Sequence, residues 1–174
     1  MVKYYKTDDR KIHEEEMIQN GVWIQMVNPS VAEGQMVADA LDVDIEDVLA
    51  ALDEEESSRI ELQDGYTLIL VDIPSIEIRH EKESYTTIPL GIIITQDEII
   101  TVCTEDTPVL QAFLNNRVKE FSTKKKLRFV YQILYRIAVL YQSDLRILYK
   151  MRTEIEERAG DDTEKDELRA LPGV

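Results

Sequence analysis

One long helical segment limits the possible folds of this chain more than any other feature. From Lys124 to Arg158 there is no Gly or Pro, and apolar residues recur at intervals of seven: Leu127, Leu134, Tyr141, Leu148 and Ile155. Val130, Ile137 and Met151 fill the intermediate positions, where Asp144 is the one exception. A helix of this length would measure roughly 50 Å, which is longer than a compact domain of this size needs. We therefore expect it to contact something beyond its own domain.

The two halves of this helix differ in composition. Phe129, Ile133 and Leu140 add apolar surface opposite the seven-residue series, so the first half is expected to be buried against its own domain. The half after Asp144 is charged and is expected to project as a stalk. We accordingly divide the chain into an α/β/α domain, residues 1–122, and a C-terminal part, residues 123–174.

The C-terminal end is expected to be incomplete. Gly160 predicts a break in the helix, and the charged residues after it predict the start of another helix. This segment stops at Leu171-Pro172-Gly173-Val174 without a closing element. We therefore expect the chain to be a shortened piece of a longer protein.

Charge is unevenly distributed along the chain, whose formal net charge is −15. Residues 1–58 contain 15 acidic and 4 basic residues, whereas residues 117–152 contain 2 acidic and 10 basic ones. The overall acidity disfavours nonspecific phosphate binding, so no nucleic-acid partner is expected. The single cysteine, Cys103, cannot form a disulfide within the chain, which indicates a reducing, cytosolic setting. No apolar run approaches the ~20 residues that a membrane span requires.

The order of predicted elements indicates an α+β fold. Alternating residues predict short strands at Val2–Lys6 and Gly21–Val27, the second packed on both faces. A capping box from Ser30 to Glu33 opens one helix, and Asp44 caps a second. Residues 59–103 then alternate or run apolar, with breaks that include Pro74-Ser75. We predict an α/β/α sandwich with a mixed, mostly antiparallel sheet, followed by the long stalk-type helix.

Few residues in the sequence carry catalytic chemistry. Phosphate-binding glycine loops, nucleophile motifs and HExxH are missing, and His13 and His80 lie in polar surroundings without a partner at metal spacing. We therefore predict that the chain is not an enzyme. The densest group of hard oxygen ligands is Asp53-Glu54-Glu55-Glu56, which Mg²⁺ could use; the alternative is a solvated acidic turn, because consecutive acids point in different directions.

Four stretches occur in a familiar order: GVWIQMVNPS, VDIEDVLAALDEEESSRIELQDGYTLILVDI, IPLGIIITQDEIITVCTED and RFVYQILYRIAVLYQSDLRILYKMRTEIEE. Together they resemble the N-terminal cytosolic domain of the CorA family of magnesium and divalent cation transporters, over essentially the whole chain. The resemblance implies an α/β/α sandwich, with long helices forming a stalk toward the membrane in a funnel-shaped homopentamer. The family's Gly-Met-Asn signature and two transmembrane helices would lie beyond Val174, so this chain is expected to lack the pore.

The same resemblance implies a difference in cation sensing. Family members hold regulatory Mg²⁺ between protomers with acids that fall at Ala50 and near Tyr135 here, and neither residue is a carboxylate. We therefore expect a cation to be sensed elsewhere, with Asp53, Glu54, Glu55 and Glu56 as candidate metal ligands. Mg²⁺ is the expected ion, and other divalent cations such as Co²⁺ remain open.

The sequence thus predicts the cytosolic regulatory and gating domain of a CorA-like transporter. In the parent protein we expect a pentamer on the cytoplasmic face of the cell membrane, anchored by helices this chain lacks; the chain alone is expected to be soluble and monomeric or dimeric. The alternative is a free-standing cytosolic interaction protein that dimerises through the long helix. A hydrolase with paired acids is a third, weaker possibility.

Overall fold

The structure, a computed structural model, describes residues 1–9, 11–79 and 82–170 of the chain. Its strands are β1 Val2–Asp8, β2 Lys11–Glu15, β3 Trp23–Val27, β4 Arg59–Leu62, β5 Thr67–Arg79, β6 Lys82–Ile94 and β7 Ile99–Cys103. Its α-helices are α1 Val31–Leu41, α2 Ile45–Leu49, α3 Pro108–Leu114 and α4 Lys126–Ala170, and a short 3-10 helix, Ala50–Leu52, follows α2.

The strands form one sheet of seven in the order β2-β1-β3-β7-β6-β5-β4. The central pair β3 and β7 is parallel. Parallel neighbours need a long connection, and here the chain passes from β3 through α1, α2, β4, β5 and β6 before it reaches β7. The remaining described pairs are antiparallel. The predicted α+β fold with a mixed, mostly antiparallel sheet is therefore confirmed.

Two hydrophobic cores lie on opposite faces of the sheet. On one face, β3 contributes Ile24 and Met26 to a core with α1 and α2. On the other, β3 contributes Trp23 to a core with α3 and α4. These side chains alternate along a strand in which residues 23–26 are all buried, so the predicted packing of this strand on both faces is confirmed. The architecture is a three-layer sandwich with the sheet in the middle.

The core under α4 is built around four aromatic rings. Trp23, Phe113, Phe121 and Phe129 come from β3, α3, the α3–α4 connection and the start of α4, with neighbouring centroids 4.6 to 6.4 Å apart. Edge-to-face contacts of this kind stabilise beyond the burial of area alone. The beginning of α4 is therefore fixed to the sheet.

One face of the first half of α4 is buried against the sheet, and the described side chains from Leu145 to Ala159 are mostly exposed. Phe129, Val130, Ile133 and Ile137 belong to the core, and Leu140 packs against it. Leu127, which begins the seven-residue series, is instead 78% exposed. The helix has 45 residues and measures about 68 Å. Among the described residues, no helix combines the length and the apolarity needed to cross a bilayer.

The expected break at Gly160 is wrong, since α4 continues through it to Ala170. A single glycine inside a helix costs only about 1 kcal/mol, and no proline follows until Pro172. Leu171 to Val174, where the chain was expected to stop without a closing element, lie outside the described residues.

The break expected at Pro74-Ser75 is also wrong, because β5 runs through both residues. β4 pairs only with Thr67–Leu70 of β5, so β5 is an edge strand from Val71 onward. Proline is tolerated there because the missing amide faces no partner strand. The polar strand β2 was not predicted; it pairs only with β1 at the other edge and has no buried residue to give an apolar pattern.

Candidate functional site

The four acidic residues predicted to bind metal form a turn between the 3-10 helix and β4. The Asp53 carboxylate accepts a hydrogen bond from the Glu55 amide at 3.0 Å, which closes the turn. The Glu56 carboxylate pairs with the Arg59 guanidinium. Glu54 and Glu55 are exposed, and no side-chain hydrogen bond or ion pair to either occurs in the part of the chain that the structure describes. Two of the four carboxylates are therefore already engaged within the fold.

A second acidic group lies at the start of α2. The Asp44 carboxylate caps the helix by accepting from the Glu46 amide at 2.9 Å. The Tyr66 hydroxyl donates to Asp47 Oδ2 at 2.6 Å and accepts from the Asp44 amide at 3.3 Å. Burial, followed by the hydrogen bond to Asp47, raises the pKa of Tyr66 to about 12. These contacts fasten the start of α2 to Tyr66, which lies just before β5, and engage the carboxylates of Asp44 and Asp47.

Ala50 and Tyr135, the two positions at which the resemblance predicted the family's acids to fall, lie on opposite sides of the sheet. Ala50 begins the 3-10 helix and packs against the core of α1 and α2. Tyr135 lies on α4 and is 61% exposed. Within one chain these residues do not meet, and neither offers a carboxylate.

Tyr135 lines a cleft of about 370 Å³ between α3 and α4. Its other lining residues include Pro108, Val109, Arg136 and Val139. The buried Nε atom of Arg136 has no hydrogen-bond partner in the described structure. The lining contains no acidic residue, so this cleft offers no oxygen ligands of the kind that Mg²⁺ prefers.

Across the described residues, no group of three or more His, Cys, Asp and Glu side chains converges as a metal site would require. His13 is exposed on β2, and His80 lies outside the described residues. Cys103 is buried, and burial raises the pKa of its thiol, so it is not poised as a thiolate nucleophile.

Two features of these sites were not predicted from the sequence. One is the ion pair between Glu56 and Arg59, which joins the acidic turn to β4. The other is the placement of Asp144, whose carboxylate lies in a cleft beside the β5–β6 hairpin, with no hydrogen bond or ion pair among the described residues. Its signal in the sequence was the interruption of an otherwise apolar series on α4.

Comparison with known proteins identifies the family to which this chain is similar. The model of the family described as "CorA-like Mg2+ transporter protein" matches residues 19–172. The cobalt/magnesium transport protein CorA of Methanocaldococcus jannaschii is 27% identical over 142 residues, which cover 78% of this chain and 42% of that protein.

Solved structures show the same fold. The soluble domain of CorA from M. jannaschii has a TM-score of 0.74 and 21% identity, covering 91% of this chain and 64% of that one. The complete structure of that transporter has a TM-score of 0.71 and 18% identity, covering 91% of this chain and 50% of that one. The ZntB cytoplasmic domain from Vibrio parahaemolyticus has a TM-score of 0.65 and 13% identity, covering 87% of this chain and 63% of that one.

The chain spans about half the length of the complete CorA structure and 42% of the curated CorA protein. At these identities the structural likeness shows the fold, whereas the family match extends over residues 19–172. The resemblance found in the sequence is thus confirmed, and the chain belongs to the CorA-like Mg²⁺ transporter protein family.

Proposed function

We propose that this chain is the cytosolic regulatory and gating domain of a transporter for Mg²⁺ or another divalent cation such as Co²⁺, and that it contains no pore and performs no catalysis. The observation that carries the proposal is the family match over residues 19–172, together with a fold like that of the CorA soluble domain. In the parent protein the domain would lie on the cytoplasmic face of the membrane. It would assemble there as a pentamer anchored by transmembrane helices.

The mechanism would be a population shift. A cation held between domains would stabilise a closed, symmetric arrangement, and its loss would allow the domains to move. The packing of α4 supports this, because the four-ring aromatic cluster ties the start of α4 to β3 and α3. A displacement of the domain would therefore move the projecting half of α4 with it.

Two experiments test the transport role. The parent reading frame should encode two apolar stretches of about 20 residues beyond Val174. The full-length parent, reconstituted in proteoliposomes, should transport Mg²⁺, and deleting residues 1–174 should abolish the dependence of that flux on Mg²⁺ at the cytosolic side. A reading frame without such stretches, or a flux whose regulation survives the deletion, would contradict the proposal.

Cation sensing is proposed to involve the acidic turn, with Glu54 and Glu55 as its available carboxylates and Asp53 and Glu56 beside them. Calorimetric titration of the chain with Mg²⁺ should give a weaker site when Glu54→Gln and Glu55→Gln are combined. The matched control combines Glu154→Gln and Glu157→Gln, which remove the same charge from exposed positions in the second half of α4. If the unmodified chain does not bind Mg²⁺, or if both double variants lose Mg²⁺ affinity equally, the result would contradict cation sensing by this turn.

The alternative is a free-standing cytosolic protein that associates through the long helix. It is favoured by exposed apolar side chains along α4, among them Tyr149 at 70% and Ile155 at 65%. The parent reading frame separates the two functions, since two membrane spans beyond Val174 would exclude the alternative.

A further inference from the structure

The cleft that contains Asp144 lies where α4 leaves the sheet, between that helix and the β5–β6 hairpin. Its volume is about 310 Å³. Sites for small molecules in proteins begin at about this size. The lining combines one carboxylate with aromatic, apolar and hydroxyl-bearing residues, among them Tyr141, Asp144 and Leu148 of α4 and Pro74, Tyr85 and Thr86 of the hairpin.

Asp144 alone carries a charge among the described residues that line this cleft. Residues three or four positions apart share a face of a helix, so Tyr141, Asp144 and Leu148 lie on one side of α4. The Asp144 side chain is partly buried, and in the described structure its carboxylate has no hydrogen bond or ion pair. Burial raises the pKa of this carboxyl. A cation placed beside it would compensate the partial desolvation of the charged form.

The neighbouring bases of α4 do not supply that cation. Arg146 follows Asp144 by two residues, and side chains at this spacing do not face each other on a helix. Arg152, two turns further along, donates to Glu156 at 2.8 Å. The chain as a whole carries −15, which attracts cations from solution.

Two tyrosines from different elements lie in the same lining as the carboxylate. The Tyr141 side chain is held in place because its hydroxyl donates to the carbonyl oxygen of Asp72 at 3.1 Å. Tyr85 is partly buried on β6, and burial, followed by the negative charges of Glu83 and Asp144, raises the pKa of its hydroxyl. The field of the Asp144 carboxylate therefore reaches Tyr85. An ammonium group within about 6 Å of a tyrosine ring is attracted by the face of that ring.

The rest of the lining favours an organic cation over a metal ion. Mg²⁺ and Ca²⁺ are held by several oxygen ligands, whereas the described lining offers the single carboxylate of Asp144. Pro74, Leu145 and Leu148 add apolar surface. An alkyl chain gains free energy by covering such surface, and a metal ion does not.

We propose that this cleft binds a primary alkylammonium ion, with the ammonium group beside the Asp144 carboxylate and Tyr85 and the alkyl chain on the apolar lining. The hydroxyl oxygens of Thr86 and Thr87, two further residues of the lining, are acceptors that the remaining N–H groups can use. One ion pair and a short alkyl chain hold such a ligand, so we expect a dissociation constant on the order of 1 mM. The inference goes beyond the proposed function and does not rest on it.

Titration of the 174-residue chain with n-hexylammonium tests the site by two-dimensional amide NMR at about 0.15 M salt, which screens nonspecific attraction to the acidic chain. Saturable shifts should concentrate in residues 72–76, 84–88 and 141–148. n-Hexanol has the same alkyl chain without the charge and should bind at least about tenfold more weakly. Equal affinities of the two ligands would overturn the proposal.

Asp144→Asn removes the charge with little change of shape and should raise the dissociation constant for n-hexylammonium at least about fivefold. The control is Asp97→Asn, which removes the same charge from an exposed turn between β6 and β7 and should change the constant by less than about twofold. The amide spectrum of each variant also reports whether its fold is intact, so lost binding is distinguished from unfolding. Equal effects of the two substitutions would overturn the role of Asp144.

Tyr85→Leu removes the aromatic ring, keeps an apolar side chain, and should weaken n-hexylammonium binding by about two- to fivefold. Tyr131→Leu is the control, because Tyr131 is 68% exposed on α4 and lies outside the cleft. It should leave the dissociation constant unchanged. Equal affinities of the two variants would overturn the placement of the ammonium group beside Tyr85.

Competition with Mg²⁺ distinguishes an organic cation from a metal ion. At constant ionic strength, about 10 mM MgCl₂ should change the dissociation constant for n-hexylammonium by less than about twofold. Displacement of n-hexylammonium by Mg²⁺ would overturn the proposal, since the cleft would then be a metal site. Strongest shifts at residues 44–56 would also overturn it, because the ammonium ion would then bind at the acidic turn and α2.

Discussion

The indole Nε1 of Trp23 donates a hydrogen bond of 2.8 Å to the hydroxyl of Thr101, and both side chains are fully buried. The two residues come from β3 and β7, the parallel pair at the centre of the sheet. Trp23 also contacts Phe113, Phe121 and Phe129. This bond therefore orients the ring on which α3 and the start of α4 are packed.

Thr101→Val should lower the free energy of unfolding by about 1 to 3 kcal/mol, because it keeps the shape of the side chain and leaves the indole N–H buried without an acceptor. Urea denaturation followed by the fluorescence of Trp23, the single tryptophan, measures it. Thr87→Val, at an exposed position on β6, is the control and should change stability by less than about 0.5 kcal/mol. Equal effects of the two substitutions would show that the hydrogen bond does not stabilise the core.

Phe129→Ala should lower the free energy of unfolding by about 3 to 5 kcal/mol, since Phe129 is fully buried among the aromatic rings. Tyr131→Ala removes an aromatic ring two residues later on the same helix, where the side chain is 68% exposed. It should change stability by less than about 0.5 kcal/mol. Urea denaturation curves of both variants measure these free energies of unfolding. A small effect of Phe129→Ala would contradict the anchoring of α4 by the aromatic rings.

The sequence predicted the fold well where apolar residues clearly followed the two-residue period of a strand or the 3.6-residue period of a helix. Alternation in β3 and the apolar circumference around Phe129 and Ile133 correctly indicated burial. The pattern failed where pairing decided the structure. β2 is polar yet paired at an edge, and Pro74 continues β5 because only β6 pairs with this part of the strand and its other side lies beyond the stretch that pairs with β4. Helix propensity also overrode the glycine at position 160.

The sequence predicted the candidate site less completely, because the partners of its side chains also depend on how the chain folds. Composition identified the acidic turn, but the partners of its carboxylates depend on how the chain turns into β4. Arg59 follows Glu56 by three residues, and whether side chains at this spacing form an ion pair depends on the backbone path between the turn and β4, which composition does not specify. The position of Asp144 beside the hairpin likewise depends on where α4 leaves the sheet.

Tyr66→Phe should change how stability depends on pH. The pKa of Tyr66 is about 12 in the folded chain and about 10 in an unfolded one. Its contribution to the free energy of unfolding is therefore complete below pH about 10 and is lost as the pH rises toward about 12. The Phe variant should be less stable by about 1 kcal/mol at neutral pH and should lose less stability over this alkaline range.

Urea denaturation at a series of pH values measures this difference. Tyr149→Phe is the control, because it removes an exposed hydroxyl from α4 and leaves the contact with Asp47 intact. The two variants should diverge in the alkaline range. Parallel pH profiles of Tyr66→Phe and the unmodified chain would contradict a raised pKa at this hydroxyl.

Arg59→Met should strengthen Mg²⁺ binding if the acidic turn senses the cation. Arg59 neutralises Glu56 and donates to Glu61 at 2.5 Å, so its removal frees one carboxylate beside Glu54 and Glu55 and raises the negative potential of the turn. The dissociation constant for Mg²⁺ should fall by about three- to tenfold, measured by calorimetry at fixed ionic strength. The control is Arg128→Met, which removes an equal charge from a pair with exposed Glu120 at the start of α4. A gain in Mg²⁺ affinity confined to Arg59→Met supports the turn as the sensing site. Equal gains in both variants would show that the change in net charge alone explains the effect, which would contradict the turn as the sensing site.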